Sequence, residues 1–138
     1  MQSEGDFEIY VKSPVIYGIP LTTLDSNDLD RYYQAIIDAA DSMDQWILFE
    51  NPQTNAATTN IAMETTLKHY QQLSLHGCTG IALLLANAIA RVVRYEKELA
   101  NLPIPFTASK NQIELARFVE GLVDKIDQKT LTIHSNAS

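Results

Sequence analysis

The sequence predicts an α/β fold built on a parallel β-sheet, and two short apolar runs carry most of that prediction. The runs occupy residues 46–49 and 81–86, and each lies between segments of helical periodicity. Each run is too short and too uniformly apolar for an amphipathic helix, so both are typical of strands that are buried on two faces. We therefore expect helices on both sides of a largely parallel sheet. The 138 residues suffice for one domain with a real core.

The first half of the chain predicts a hairpin, a helix and a buried strand. Phe7, Ile9 and Val11 alternate with other residues, and after the Pro14 break a second apolar run ends at Pro20, which together indicate a hairpin. Asp25-Ser26 supplies an N-cap for a helix over residues 27–43. The strand at residues 45–50 leads into a long polar loop, residues 51–60, which is a candidate functional loop.

The second half predicts two further strands, each followed by a helix. A helix over residues 61–75 ends at Gly77, and the strand at residues 80–86 leads to a third helix capped by Asn87. After a strand at residues 104–107, Ser109 and Gln112 have the spacing of a capping box for a final helix that ends near Lys125. The predicted element order is β-β-α-β-α-β-α-β-α. We expect a single domain over residues 1–126 and a polar tail over residues 127–138.

Charge and cysteine content restrict the partners that the chain is expected to bind. The formal net charge of −7 disfavours nucleic acid and anionic membrane surfaces. No apolar stretch approaches the ~20 residues of a membrane span. Cys78 is the only cysteine, so no intramolecular disulfide can form, and the first residues are polar and acidic where a signal peptide would be basic and then apolar. We therefore expect a cytoplasmic location.

Two local motifs resemble those of a known family. The turn at residues 76–78 has the sequence His-Gly-Cys, and the strand after it ends at Asn87. Residues 106–109 have the sequence Phe-Thr-Ala-Ser and lead into the closing helix. In this element order and length, the chain resembles the stand-alone bacterial branch of the STAS family, which has the anti-sigma-factor-antagonist or SpoIIAA-like fold. The resemblance covers residues 7–126. It implies a SpoIIAA-like mixed sheet with helices packed on it, and protein–protein regulation or small-ligand binding instead of catalysis.

The chain departs from this family where the central strand meets the next helix. Phospho-switched antagonists carry an Asp-Ser-Ser/Thr-Gly type of sequence there, which places a serine at a helix N-terminus. This chain has Glu-Asn-Pro-Gln-Thr at residues 50–54, so no residue inherits the phosphoserine role. Thr54, Thr58 and Thr59 lie in the same loop, where capping or turn formation is the favoured role for their hydroxyls.

The chemistry-bearing side chains predict neither a catalytic site nor a metal site. Cys78 beside His76 suggests a reactive thiolate, but cysteine commonly packs as a small apolar residue, and His76 suits the negative end of a helix. His69 and His134 are far apart in sequence, so a zinc site is not expected. We expect no enzyme activity, no cofactor and no metal, with a Cys78-dependent enzyme as the weakest alternative.

Polar side chains collect at the predicted carboxyl ends of the parallel strands. In open α/β sheets ligands bind outside those ends. This polar rim is the candidate site for a small ligand or a partner protein, and it contains Glu50, Asn51, Gln53, Thr54, Asn87, Thr107, Ser109 and Lys110. Helix capping alone would also account for Asn87 and Ser109.

The leading hypothesis is a non-enzymatic regulatory or protein-interaction domain of STAS-like type. The alternative is a small-molecule or lipid carrier, which requires a deep apolar cavity between the sheet and the helices on one side. We also expect a homodimer, because aromatic residues are enriched in interfaces and an exposed surface could carry Tyr10, Tyr17 and Tyr32.

Overall fold

The computed structural model describes residues 6–53, 60–85 and 95–137, with side chains at 6–53, 64–85 and 95–128. In these residues the strands are β1 (Phe7–Lys12), β2 (Val15–Pro20), β3 (Trp46–Glu50), β4 (Cys78–Leu84) and β5 (Phe106–Ser109). The helices are α1 (Ser26–Ala39), α2 (Asn60–Leu73), α3 (Glu96–Ala100) and α4 (Gln112–Ala137). A single 3-10 turn, Ser74–His76, follows α2.

The five strands form one mixed sheet in the order β1-β2-β3-β4-β5. β1 and β2 are antiparallel, as the predicted hairpin requires, and β2 to β5 run parallel to one another. From β2 to β5, each strand lies beside the one before it, always in the same direction across the sheet. Right-handed connections between such strands place their helices α1, α2 and α3 on one face, and α4, which follows the last strand, covers the other. The predicted α/β class with a mixed sheet is confirmed, and the finer SpoIIAA-like topology stays a prediction.

Two apolar cores lie on opposite faces of the sheet, because successive strand residues point to alternate sides. The core beside α1 and α2 includes Ile16, Tyr33, Leu48, Leu73 and Ile81. The core beside α4 includes Val15, Ile47, Ala82, Leu115 and Leu122. Trp46, Ile47 and Leu48 have no exposed surface. Burial on both faces therefore explains the uniformly apolar residues 46–49 of β3.

The predicted N-cap at Asp25 and the predicted helix end at Gly77 are both found in the structure. Asp25 caps α1 through a capping box, in which its carboxylate accepts the N–H of Asp28 (2.8 Å) and the Asp28 carboxylate accepts the N–H of Asp25 (3.1 Å). Gly77 follows the 3-10 turn with a φ of 96°, the left-handed conformation that favours glycine. The indole N–H of Trp46 donates to the His76 carbonyl (2.8 Å), which ties this turn to the start of β3.

The structure corrects the predicted start and end of the final helix. Its cap is Asn111, whose Oδ1 accepts the N–H groups of Ile113 (2.9 Å) and Glu114 (3.2 Å), so the predicted capping box of Ser109 and Gln112 is wrong. Ser109 is instead the last residue of β5, which extends beyond its predicted end at residue 107. The helix continues to Ala137, and the predicted end near residue 125 is also wrong. Residues 127–137 contain no glycine or proline that would end a helix.

The connection between β4 and β5 is described in part. The predicted third helix, which begins after Asn87, falls mainly on residues 86–94, and these lie outside the described residues. α3 is the described helix of this connection, and its Leu99 is buried. Within residues 6–53, 60–85 and 95–137, no helix combines the length and the apolar character needed to cross a membrane.

Candidate functional site

The structure places one group of predicted rim residues around the end of β3. Glu50 is the last residue of β3, and Asn51 and Gln53 follow it. The N–H groups of Asn51 and Gln53 donate to the carbonyls of Gly18 (2.9 Å) and Pro20 (2.8 Å). These two bonds hold residues 51–53 against β2 beyond the end of β3, and so they fix the position of the chain that follows Glu50.

A second group lies at the end of β5, and the structure does not bring it together with the first. Ser109 Oγ donates to Glu114 of α4 (3.0 Å) and accepts the N–H of Asn111 (2.9 Å), so this side chain serves the start of α4. Thr107 is half-buried in β5, and Lys110 is exposed after it. Two further members of the predicted rim lie outside the described residues, namely Thr54 and Asn87.

Glu50 is the centre of a buried hydrogen-bonded cluster on the α1 and α2 face of the sheet. Only 3% of this residue is exposed. Its Oε2 accepts the hydroxyls of Tyr32 (2.8 Å) and Tyr33 (2.9 Å) from α1, and its Oε1 accepts the hydroxyl of Tyr70 from α2. One carboxyl group thus joins β3 to two helices. We call these four residues, Thr66 and the cavity beside them the Glu50 socket.

The positions of these residues follow from the local periodicities of their elements. Glu50 shares the face of Trp46 and Leu48 because β-strand side chains alternate with a period of two. The rings of Tyr32 and Tyr33 pack edge to face with centroids 4.8 Å apart, so consecutive residues of α1 both reach the carboxyl group. The ring of Tyr33 also packs edge to face with Tyr70, at 6.0 Å between centroids.

A second layer holds α2 against α1 beside the Glu50 socket. The imidazole of His69 stacks on the ring of Tyr33, with centroids 4.7 Å apart and an interplanar angle of 21°. Its Nε2 lies 2.9 Å from Oδ1 of Asp30, one helical turn before Tyr33 on α1. The imidazole therefore restrains the Tyr33 ring from the side opposite the protein core, where 16% of the His69 side chain is exposed.

Burial determines the protonation behaviour of the Glu50 socket. Desolvation raises the pKa of Glu50 above its ordinary value, and the three tyrosine hydroxyls oppose this shift because they stabilise the carboxylate. Burial and the nearby Glu50 charge raise the pKa values of Tyr32, Tyr33 and Tyr70 well above 10. All three phenols therefore remain protonated donors at neutral pH. Among the described side chains, Glu50 has no cationic partner, because the ion pairs are Arg31 with Asp28 and His69 with Asp30.

A small cavity of about 30 Å³ adjoins the Glu50 carboxyl group and is partly open. Its wall is formed by the carboxyl group, the three phenols, Thr66 and the apolar side chains of Pro20, Leu24, Leu29, Pro52 and Leu83. A cavity of this size holds about one to three water molecules, whereas ordinary small-molecule pockets measure roughly 300–1,000 Å³. The cavity therefore admits a single small head group.

The remaining candidate groups do not form a reactive cluster. Cys78 is 3% exposed, its thiol donates to the Gly80 carbonyl (3.4 Å), and burial raises its pKa to about 12. A thiol in this state is a poor nucleophile at neutral pH. His76 contributes its carbonyl oxygen to Trp46. In the part of the chain that the structure describes, no three His, Cys, Asp or Glu residues are grouped so that they could hold a metal ion.

The sequence pattern predicts Glu50 as a site residue but does not predict the three tyrosines around it. The expectation that Tyr32 lies on an exposed surface is wrong because Tyr32 has no exposed surface, whereas Tyr10 is 54% exposed and Tyr17 is half-buried. One signal was available: the period-two pattern of β3 puts Glu50 on the same face as Trp46 and Leu48, and a buried carboxyl group requires donors. Tyrosine hydroxyls are suitable donors.

Comparison of the chain with protein-family models, with curated proteins and with solved structures finds no match. The geometry of the Glu50 socket is therefore the main guide to function. The resemblance to the STAS family stays a prediction.

Proposed function

We propose that this chain is a non-enzymatic regulatory binding domain of STAS-like type, and that the Glu50 socket recognises an ammonium group of its ligand or partner. The observation that carries this proposal is a buried carboxyl group with three phenol donors and no cationic partner among the described residues. An ammonium group supplies what this arrangement lacks, namely a positive charge and further donors.

The hydrogen-bond capacity of Glu50 supports this choice of ligand. An ionised carboxylate has about four acceptor positions, and the tyrosines occupy two on Oε2 and one on Oε1. One position on Oε1 remains for a donor. A buried charge without a counter-ion is costly, so a ligand that brings a positive charge gains from this site. The surrounding aromatic rings also favour a cation over an anion or a neutral group.

The size of the cavity supports recognition of a head group. About 30 Å³ accommodates an ammonium group, and the rest of the ligand then lies outside the cavity. Both a small amine and a lysine side chain of a partner protein present this group. The lipid-carrier alternative requires a deep apolar cavity, and this cavity is too small for an acyl chain and is lined in part by hydroxyl and carboxyl groups.

The protonation states of the phenols and of the Cys78 thiol favour binding over catalysis by these groups. The three phenols hold their protons, and the Cys78 thiol is buried with a raised pKa, so none of these groups is poised to exchange a proton or attack a substrate at neutral pH. By the STAS resemblance, the end of β3 corresponds to the strand end at which phospho-switched antagonists carry their serine. In this proposal, occupancy by an ammonium group replaces phosphorylation as the regulatory event.

Amide NMR spectra during titration with methylammonium, butylammonium and N-acetyl-lysine amide test the proposal. We expect shifts around the Glu50 socket in the wild-type chain and their loss in Glu50→Gln, whereas the control Glu98→Gln, at an exposed glutamate of α3, retains them. Methanol and acetate serve as neutral and anionic probes on the wild-type chain. Equal binding of these probes, or an unaltered response of a folded Glu50→Gln variant, would refute the proposal.

A further inference from the structure

The β1 strand leaves one edge of the sheet open within the described residues. It is the first strand in the sheet order, and it pairs with β2 alone through six consecutive residue pairs without a bulge. Residues 7–12 contain no proline. Tyr10 and Val11 are 54% and 52% exposed. Such an edge presents a row of unpaired N–H and C=O groups, which is a template for another strand.

We propose that β1 pairs antiparallel with β1 of a second copy of this chain, about a two-fold axis that passes beside Tyr10. The axis is perpendicular to the sheet, so both copies keep their α1 helices on the same face. In this register Tyr10 lies opposite its own equivalent, Glu8 lies opposite Lys12, and Ile9 lies opposite Val11. The result is one continuous sheet in which the two five-stranded sheets join at their β1 edges.

The sequence of β1 is self-complementary on both faces in this register. On the α4 face, Glu8 and Lys12 form opposite-charge pairs on either side of an aromatic Tyr10 pair. On the α1 face, the exposed Val11 covers the half-buried Ile9 of the other copy. Opposite charges, paired aromatics and paired β-branched residues are the cross-strand combinations that stabilise antiparallel strands.

Other registers fit less well. Directly opposite residues of two antiparallel strands point to the same side of the sheet. The two-fold axis must therefore pass beside a residue that pairs with its own equivalent, and it cannot pass between two residues. An axis at Glu8 sets two like charges opposite each other. An axis at Ile9 sets Lys12 opposite Asp6, which precedes the strand and whose carbonyl already accepts the N–H groups of Leu21 (2.9 Å) and Thr22 (3.4 Å). Axes at Ile9 and at Tyr10 each pair five residues of β1, and only the axis at Tyr10 pairs both charged residues, Glu8 and Lys12, within the strand.

The pairing has a consequence for ligand binding that does not depend on what the ligand is. A two-fold axis perpendicular to the sheet places both Glu50 sockets on the same face of the dimer. β2 separates β1 from β3 in each copy, so Glu50 itself lies two strands from the new interface. β1 reaches the socket through Phe7, whose ring packs edge to face with Tyr32 at 5.2 Å between centroids. The dimer therefore presents two sockets side by side, an arrangement suited to a partner that carries two matching groups.

Cysteine cross-linking tests both the dimer and its register. Paired positions in antiparallel strands lie within the Cα separation that a disulfide spans, and Cys78 is buried, so it contributes little background. We expect Tyr10→Cys to form a disulfide-linked dimer under mild oxidation, and Glu8→Cys alone to remain monomeric. A mixture of Glu8→Cys with Lys12→Cys should give the mixed dimer. Preferential cross-linking of Ile9→Cys would overturn the proposed register.

Charge reversal provides an independent test by light scattering coupled to size exclusion. We expect the wild-type chain to have twice its monomer mass of 15.4 kDa at high micromolar concentration. Glu8→Lys and Lys12→Glu should each weaken the dimer at least tenfold, and the double variant should restore it. Lys110→Glu is the matched control, since Lys110 is exposed and distant from β1. A wild-type mass of 15.4 kDa across the whole concentration series would overturn the proposal.

Discussion

Gly18 makes room for Tyr32 at the Glu50 socket. Gly18 lies directly opposite Glu50 in the parallel pairing of β2 with β3. A Cβ atom on Gly18 would overlap the Tyr32 hydroxyl and lie 2.9 Å from Cζ of the ring. The absence of a side chain on β2 thus allows a phenol from α1 to cross that strand and donate to the carboxyl group on β3.

We predict that Gly18→Ala destabilises the chain by about 1–3 kcal/mol, the usual cost of overpacking a buried site. The ring of Tyr32 must move, and the movement stretches its hydrogen bond to Glu50. Gly121→Ala is the control. Apart from its two neighbouring residues and the backbone of α4, no atom lies within 4 Å of its added Cβ, and α4 should gain about 1 kcal/mol from the better helix former. Urea unfolding measures both effects. An equal change in the two variants would contradict the role assigned to Gly18.

We predict that the unfolding free energy of the wild type, minus that of Glu50→Gln, decreases as pH rises above the ordinary glutamate pKa of 4.5. The folded chain has the higher Glu50 pKa, so between the two values it binds more protons than the unfolded chain. Its stability therefore falls with rising pH in this window. The glutamine variant lacks this titration. Denaturation series from acidic to neutral pH measure the difference, and a difference that grows with pH would contradict the raised pKa.

We predict that Tyr32, Tyr33 and Tyr70 ionise only when the protein unfolds. Their folded pKa values are raised well above 10, so the folded chain retains protons that the unfolded chain loses above that pH. This contribution to stability is complete below pH 10 and is lost as pH rises above it. Phenolate absorbance and circular dichroism, recorded in one alkaline titration, should show a late phenolate step that coincides with unfolding. A separate earlier step for all six tyrosines would be inconsistent with the buried cluster.

We predict that Cys78 reacts slowly with a thiol reagent in the native protein and rapidly after denaturation. The thiol is buried and its pKa is about 12, so both access and thiolate content are low. Leu75→Cys in a Cys78→Ala background provides an exposed reference thiol nearby, because Leu75 is 82% exposed. Native Cys78 that labels as fast as this reference would revive the alternative of a Cys78-dependent enzyme.

The sequence by itself determined the fold class, because the class depends on local patterns. The uniformly apolar segments at β3 and β4 indicate strands buried on two faces, and the capping box at Asp25 and the glycine at position 77 mark element ends through contacts within a few residues. The sequence failed at the start of α4, where Ser109 and Asn111 are both good caps. The extent of β5 decides between them, and that extent depends on pairing with β4.

Only the tertiary structure decided the site. The sequence pointed to Glu50 as one of eight polar residues at strand ends, but it could not select the tyrosines that bind it, which lie 17, 18 and 20 positions away in the chain. Their selection depends on how α1 and α2 pack on the sheet and on the space left by Gly18. Ser109 lies on the α4 face of the sheet, where it contacts Glu114, whereas Glu50 lies on the face of α1 and α2. Side chains of a strand point alternately to the two faces, so the sheet separates these two residues of the predicted rim.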